Sequence, residues 1–213
     1  MAPVRTQAER RASSERRVLE AAAAVIAEHG TTGVSFAEIA RVAGCSHGLP
    51  SYLFGSKAEM LLALLKSAVI RYRDEMVPAA MRGSGGLEAV LGLLRAFLES
   101  LHDPLPYTRA IYVMIGEGPG GPPELRAALR THHQAARGLL RDALMQGIEQ
   151  GEIRPDLDVD AHAAALFGTL RGIGTQLLLD PDAMDVKAVT SEVLESTRRA
   201  LAVEPSHPSA RAT

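Results

Sequence analysis

A chain of 213 residues with 46% hydrophobic and 23% charged residues has the composition of an ordinary globular protein, which excludes a disordered or collagen-like chain. With 4 Phe, 4 Tyr and no Trp, the interior must be built from Ala, Leu, Val and Ile, and the single cysteine excludes an intrachain disulfide. The net charge of -2 conceals an asymmetry: residues 1–73 carry ten Lys/Arg against six Asp/Glu, a balance of +4, and the remainder carries 13 against 19, a balance of -6.

In chain order, Arg5, Arg10, Arg11, Arg16 and Arg17 make the amino-terminal stretch basic, and residues 1–13 read as a flexible arm suited either to a phosphate backbone or to solvent. Val18, Ala21, Ala22, Val25 and Ile26 then recur at helical spacing, and Gly30 can end that helix. Ser35 is placed to cap a second helix, with Glu38 reaching back to the Ser35 amide and Val34 and Ile39 at the staple positions. Gly44 offers the left-handed conformation that stops it, and Ser46 is read as the cap of a third helix containing Pro50, closed by Gly55. Ser56 and Glu59 repeat the capping-box spacing, and Leu61, Leu62, Leu65, Ala68, Val69 and Tyr72 carry a fourth apolar stripe towards Pro78.

Gly83-Ser84-Gly85-Gly86 reads as a break between a small first domain and a larger second one. Beyond it, Leu87 to Leu101 and Tyr107 to Ile115 keep helical period, Gly116 to Pro122 reads as a loop, and Pro123 opens a helix stopped by Gly151. Two further helices are expected over 159–179 and 186–201, capped by Asp158 or Asp160 and by Asp185, with a disordered tail at 204–213. The sum is an all-α chain of about nine helices, with domains at 14–57 and 83–203 joined by a connecting helix at 58–82.

Two short helices around a tight glycine turn are the minimal DNA-reading unit, because one braces across the backbone while the other enters the major groove. Ile39, Ala43, Pro50 and Leu53 supply an inward face here, and His47, Gly48, Ser51 and Tyr52 an outward one. This stretch, from Val34-Ser35-Phe36 through Ile39-Ala40 and Ala43-Gly44 to Tyr52, Phe54, Ser56 and Lys57, resembles the TetR family of transcriptional regulators. Gly151 to Asp156 and Leu170 to Ile173 resemble it more weakly. The resemblance implies an all-helical homodimer with a three-helix DNA-binding domain containing the helix-turn-helix, and a regulatory and dimerisation domain that takes a small-molecule ligand. It implies that His47, Gly48 and Ser51 face base edges while Ser35, Tyr52 and Lys57 face phosphates. Leu49 and Pro50 depart from the family pattern, and Leu49 is a candidate for a thymine methyl. Ser46 completes the expected DNA-binding set.

Phe97, Tyr107, Tyr112 and Met114 are candidates to line an effector cavity, with His102, Arg109 and His132 as polar anchors, although ordinary core packing explains the same residues. Gly168, Gly172 and Gly174, with Ala161, Ala163, Ala164 and Ala165, keep one late helix slim enough to pack on a second copy. Cys45 reads as a small apolar filler, and the adjacent His132 and His133 point about 100° apart on a helix, so no metal site or cofactor is expected. Neither a nucleophile elbow nor a phosphate loop is found, which argues against an enzyme. No secretory h-region or long apolar run is present, so a cytoplasmic location is expected. The expected function is a repressor released from a pseudo-palindromic operator by its ligand. The alternative is a helical small-molecule-binding protein of the same fold without DNA binding.

Overall fold

The computed structural model describes residues 6–71, 74, 78, 86–101 and 106–203. Arg5, Tyr72, the 83–85 part of the glycine break, His102 and the 204–213 tail lie outside the described residues. Nine α-helices are present among the described residues: α1 (Gln7–His29), α2 (Phe36–Ala43), α3 (Leu49–Phe54), α4 (Lys57–Arg71), α5 (Gly86–Glu99), α6 (Pro106–Glu117), α7 (Pro123–Glu149), α8 (Val159–Leu179) and α9 (Val186–Leu201). An isolated antiparallel bridge joins Ile153 to Ala202.

The caps explain where several of these helices begin, and they correct the amino terminus. Thr6 accepts from the Glu9 amide at 3.2 Å while the Glu9 carboxylate accepts from the Thr6 amide at 2.7 Å, a complete capping box. Residues 7–13, expected as part of a flexible arm, are therefore the first turns of α1. Apolar periodicity is absent from them, so hydrogen bonding at the end and not burial defines the start. The expected loop at 116–122 is shorter too: α6 runs through Glu117, and 118–120 is a single 3-10 turn.

The chain divides into two compact units, Met1–Tyr72 with Asp103–Ala135, and Arg73–His102 with Ala136–Thr213. This division differs from a single cut at 83–86. The reason lies in the first unit's core, where Tyr107, Ala110, Ile111 and Met114 of α6 and Leu125, Ala128 and Leu129 of α7 pack in one cluster with Val18, Ala22 and Ile26 of α1 and Leu61, Leu64 and Leu65 of α4. Burial of this kind contributes about 25 cal/mol per Å² of apolar surface, so a helix joins whichever core takes its apolar stripe.

Glu117 ties this first unit together at the end of α1. Its carboxylate accepts from the Thr31 amide at 3.2 Å to each oxygen and also from the Thr31 hydroxyl. Gly30 makes room for it with a left-handed φ of 72°, and a β-carbon there would lie 2.7 Å from the carboxylate.

In the second unit, Leu87, Val90, Leu91, Leu94 and Leu98 of α5 are buried, and the segment after α7 works as a staple. Glu152 accepts from the Leu87 amide at 2.9 Å and so caps α5. Ile153 is fully buried, and Arg154 caps α9 by donating from its amide to the Leu201 carbonyl and from Nε to the Ala200 carbonyl, each at 3.0 Å. The Gly151 to Asp156 stretch thus ties two helix ends that are far apart in sequence.

Candidate nucleic-acid interface

The helix-turn-helix is built from α2, the turn at 44–48 and α3. Ser35 caps α2 by accepting from the Glu38 amide at 3.2 Å. Glu38 does not reach back as expected. Arg41, one turn along, captures its carboxylate by donating from Nη2 at 2.7 Å and from Nε at 3.1 Å. That charged bond outcompetes a neutral amide donor and holds the Glu38 carboxyl below the usual carboxylate range, so the pair stays ionised.

Gly44 ends α2 in the left-handed conformation, φ 61° and ψ 44°, and its amide donates to Ala40 and Arg41. Ser46 then opens a turn, its carbonyl accepting from the Leu49 amide at 3.0 Å, and α3 starts at Leu49 with Gly48 at the cap position and no side-chain cap. Ser46 is thus not the cap of α3. Pro50 supplies the physical reason: lacking an N–H, it fits only the first turn of a helix, so the regular helix begins immediately before it.

One face of α3 is closed by Pro50 and Phe54, which are buried, and by Leu49 and Leu53, which pack partly against the core. Leu49 is therefore chiefly a packing residue of the reading head. His47, Gly48, Ser51 and Tyr52 are all exposed, Tyr52 to 74%, which separates it from the core aromatics. Arg11 of α1 lies over the Tyr52 ring, with its guanidinium carbon 5.9 Å from the centroid. Ser35 is exposed at the start of α2.

Ser56 and Glu59 form the expected box at the start of α4: the Ser56 amide and hydroxyl each donate to Glu59 at 3.0 Å, and the Glu59 amide donates back to Ser56 Oγ at 3.2 Å. Lys57 is half-buried beside this box, and its Nζ reaches the Thr32 carbonyl at 3.5 Å. Cys45 is half-buried against the first unit's core, in keeping with a filler.

The candidate effector residues are divided between the units. Phe97 belongs to the second, half-buried beneath the Arg171 guanidinium at 5.6 Å. Tyr107 and Met114 belong to the core of the first unit, Tyr112 and His132 are also buried there, and Arg109 is exposed. Burial pushes the Tyr107 hydroxyl above the usual phenol range, against the opposing effects of a hydrogen bond with Ser67 and the charge of Arg71. Arg71 lies 4.9 Å over the ring. Tyr107 is accordingly a neutral, hydrogen-bonded packing residue. Arg109 lines an open cavity of about 300 Å³ with Ala24, Ala27, Glu28 and Pro106. Among the described residues no cluster of three metal-ligating side chains occurs, and no helix is long and apolar enough to cross a membrane.

A brace helix stopped by a left-handed glycine, followed by a short helix with one buried face and one exposed polar face, defines a helix-turn-helix DNA-binding protein. Residues 18–64 match the family described as bacterial regulatory proteins, tetR family, and residues 86–192 match the tetracyclin repressor-like C-terminal domain. The transcriptional regulator BetI of Rhizobium meliloti is 37% identical over 95 residues, 45% of this chain and 42% of that protein. The transcriptional repressor KstR2 of Mycobacterium tuberculosis is 33% identical over 147 residues, 67% of this chain and 70% of that protein. A putative TetR-family regulator from Rhodococcus sp. shares the fold at 22% identity and a TM-score of 0.78, over 89% of this chain and 100% of that one. The chain belongs to the TetR family of transcriptional regulators.

Proposed function

We propose that this regulator is a cytoplasmic repressor that binds a pseudo-palindromic operator as a homodimer and leaves it when a small molecule occupies the carboxy-terminal half. The observation that carries the DNA side is the outward face of α3, where His47, Gly48, Ser51 and Tyr52 are exposed beside the packed Pro50 and Phe54. His47 and Ser51 have the donors and acceptors to read base edges, Gly48 leaves room for close approach, and Ser35, Tyr52 and Lys57 engage phosphates. The repressor activity in the name of KstR2 supports repression, and the solved complexes of the similar proteins SmeT with triclosan and FadR of Bacillus subtilis with stearoyl-CoA support regulation by a ligand.

Dimerisation through α8 and α9 is supported by the outer face of α8. Ala161, Ala164, Ala165, Gly168 and Gly172 are exposed and Leu179 is 81% exposed, whereas Ala163 and Gly174 are buried in packing within the chain. A two-fold pair built on this face presents two reading heads, which suits half-sites about one helical turn, ~34 Å, apart. Effector binding then acts by favouring one arrangement of the heads over another. Arg109 is the candidate polar anchor for the effector in the first unit, with Tyr112 and His132, and Tyr107 and Met114 support it by packing.

The test is a binding titration against a duplex enriched from a random-sequence pool. Tyr52→Ala and Lys57→Ala are expected to weaken binding to every sequence, and His47→Ala to change the preferred bases. Enrichment of no sequence by the wild-type protein overturns the reading.

A further inference from the structure

The reading head itself is electroneutral. Between Ser35 and Glu59 the only Lys/Arg are Arg41 and Lys57 and the only Asp/Glu are Glu38 and Glu59, and Arg41 is held by Glu38 at 2.7 Å. Affinity for duplex DNA comes largely from neutralising phosphates and releasing their counterions, so a neutral head needs cations from elsewhere. A supply in contact with the reading helix is the start of α1. Its first turns carry Arg10, Arg11, Arg16 and Arg17, all exposed, on a helix fixed at its end by the Thr6–Glu9 box. These turns lie outside the family match, which begins at residue 18.

Geometry distinguishes the arginines. Arg11 seats its guanidinium over the exposed Tyr52 ring at 5.9 Å, on the reading helix. Arg10 is its chain neighbour. Arg16 is turned about 140° from Arg11 at 100° per residue, and its charge acts on Tyr107 of α6.

We infer that the first turns of α1 form a second, sequence-independent DNA contact, in which Arg11, seated over Tyr52, and Arg10 beside it bind the phosphate backbone next to the bases read by α3. Arg11 holds the Tyr52 ring outward and adds a charge to the contact its hydroxyl makes. The duplex meets a rigid basic helix, so little ordering entropy is lost on binding, in contrast to a flexible arm. The inference rests on the helix-turn-helix reading above.

The experiment compares wild type, Arg10→Ala/Arg11→Ala and Arg16→Ala in the full chain, titrated against an enriched duplex and a scrambled duplex over a range of KCl concentrations. The double variant is expected to lose affinity for both duplexes by the same factor. Its slope of log K against log salt should be shallower by about 1.8, two phosphate contacts at ~0.9 each. Arg16→Ala should match wild type. Thermal melts check folding, which the exposure of these arginines leaves intact. A double variant with the wild-type slope, while wild type still selects its duplex, overturns the clamp alone, and so does an equal slope change in Arg16→Ala. A wild type that binds neither duplex overturns the reading on which the clamp rests.

Discussion

Replacing Glu117 with alanine removes the carboxylate that accepts from the Thr31 amide, in a residue that is 7% exposed. The carboxylate takes two donors there, the amide at 3.2 Å and the hydroxyl. Hydrogen bonds to charged groups contribute about 1.5–3 kcal/mol, and a buried donor left unpaired costs about 1–3 kcal/mol. The Glu117 side of the pair is partly open to solvent, which places the loss in the lower part of that range, at about 1.5–2 kcal/mol. For a chain of this size each kcal/mol moves the melting temperature by about 2–4 °C, so Glu117→Ala should melt about 3–8 °C below wild type. Circular dichroism melts provide the first assay and amide exchange at Thr31 the second. Glu117→Gln keeps one carbonyl acceptor and should recover part of the loss. In a Thr31→Val background the hydroxyl is already gone, so Glu117→Ala should cost less than in wild type. An unchanged melting temperature together with unchanged Thr31 protection refutes the idea that this carboxylate fastens α6 to the end of α1.

Gly48 and Gly44 should respond in opposite ways to alanine. Gly48 has an ordinary φ of -81° and open space around it, so Gly48→Ala should stabilise the fold by about 0.4–1 kcal/mol in urea denaturation while weakening operator binding through the added β-carbon. Gly44 sits in the left-handed region, also with open space, and Gly44→Ala should lower stability by about 1–2 kcal/mol from backbone strain alone. Ile153→Ala should cost about 2–5 kcal/mol in the same assay, because the fully buried side chain leaves a cavity beside Gly147. Leu179→Glu should leave a folded chain that sediments as monomer at micromolar concentration, since the side chain is 81% exposed. A dimer of undiminished affinity would exclude this end of α8 from the interface.

Local chemistry made much of the reading head legible in the sequence. Gly44 had to be left-handed after an amphipathic α2, Ser35 and Ser56 had to cap α2 and α4, and the alternation of Pro50 and Leu53 with Ser51 and Tyr52 set α3's faces. Each is an interaction within a few residues, so residue type and spacing suffice. The Thr6–Glu9 box was equally local, yet it lay in a polar stretch where apolar periodicity is silent, and the beginning of α1 went unread.

Other features needed the tertiary structure because their partners are remote or competing. Glu38 had two donors within reach, and only the position of the Arg41 guanidinium decided between them. Glu117 meets Thr31 across 86 residues, Glu152 caps α5 across 65, and Arg154 caps α9 across 46. Whether Tyr107 and Met114 were core packing or effector lining was likewise undecided by type, since an aromatic or a Met fits both. The sequence by itself determined the helices, their turn and the family-like reading face, since these depend on interactions along one short stretch of chain. Only the tertiary structure decided which arginine stands over the reading helix and which core claims α6, because those outcomes depend on the three-dimensional neighbours of each side chain.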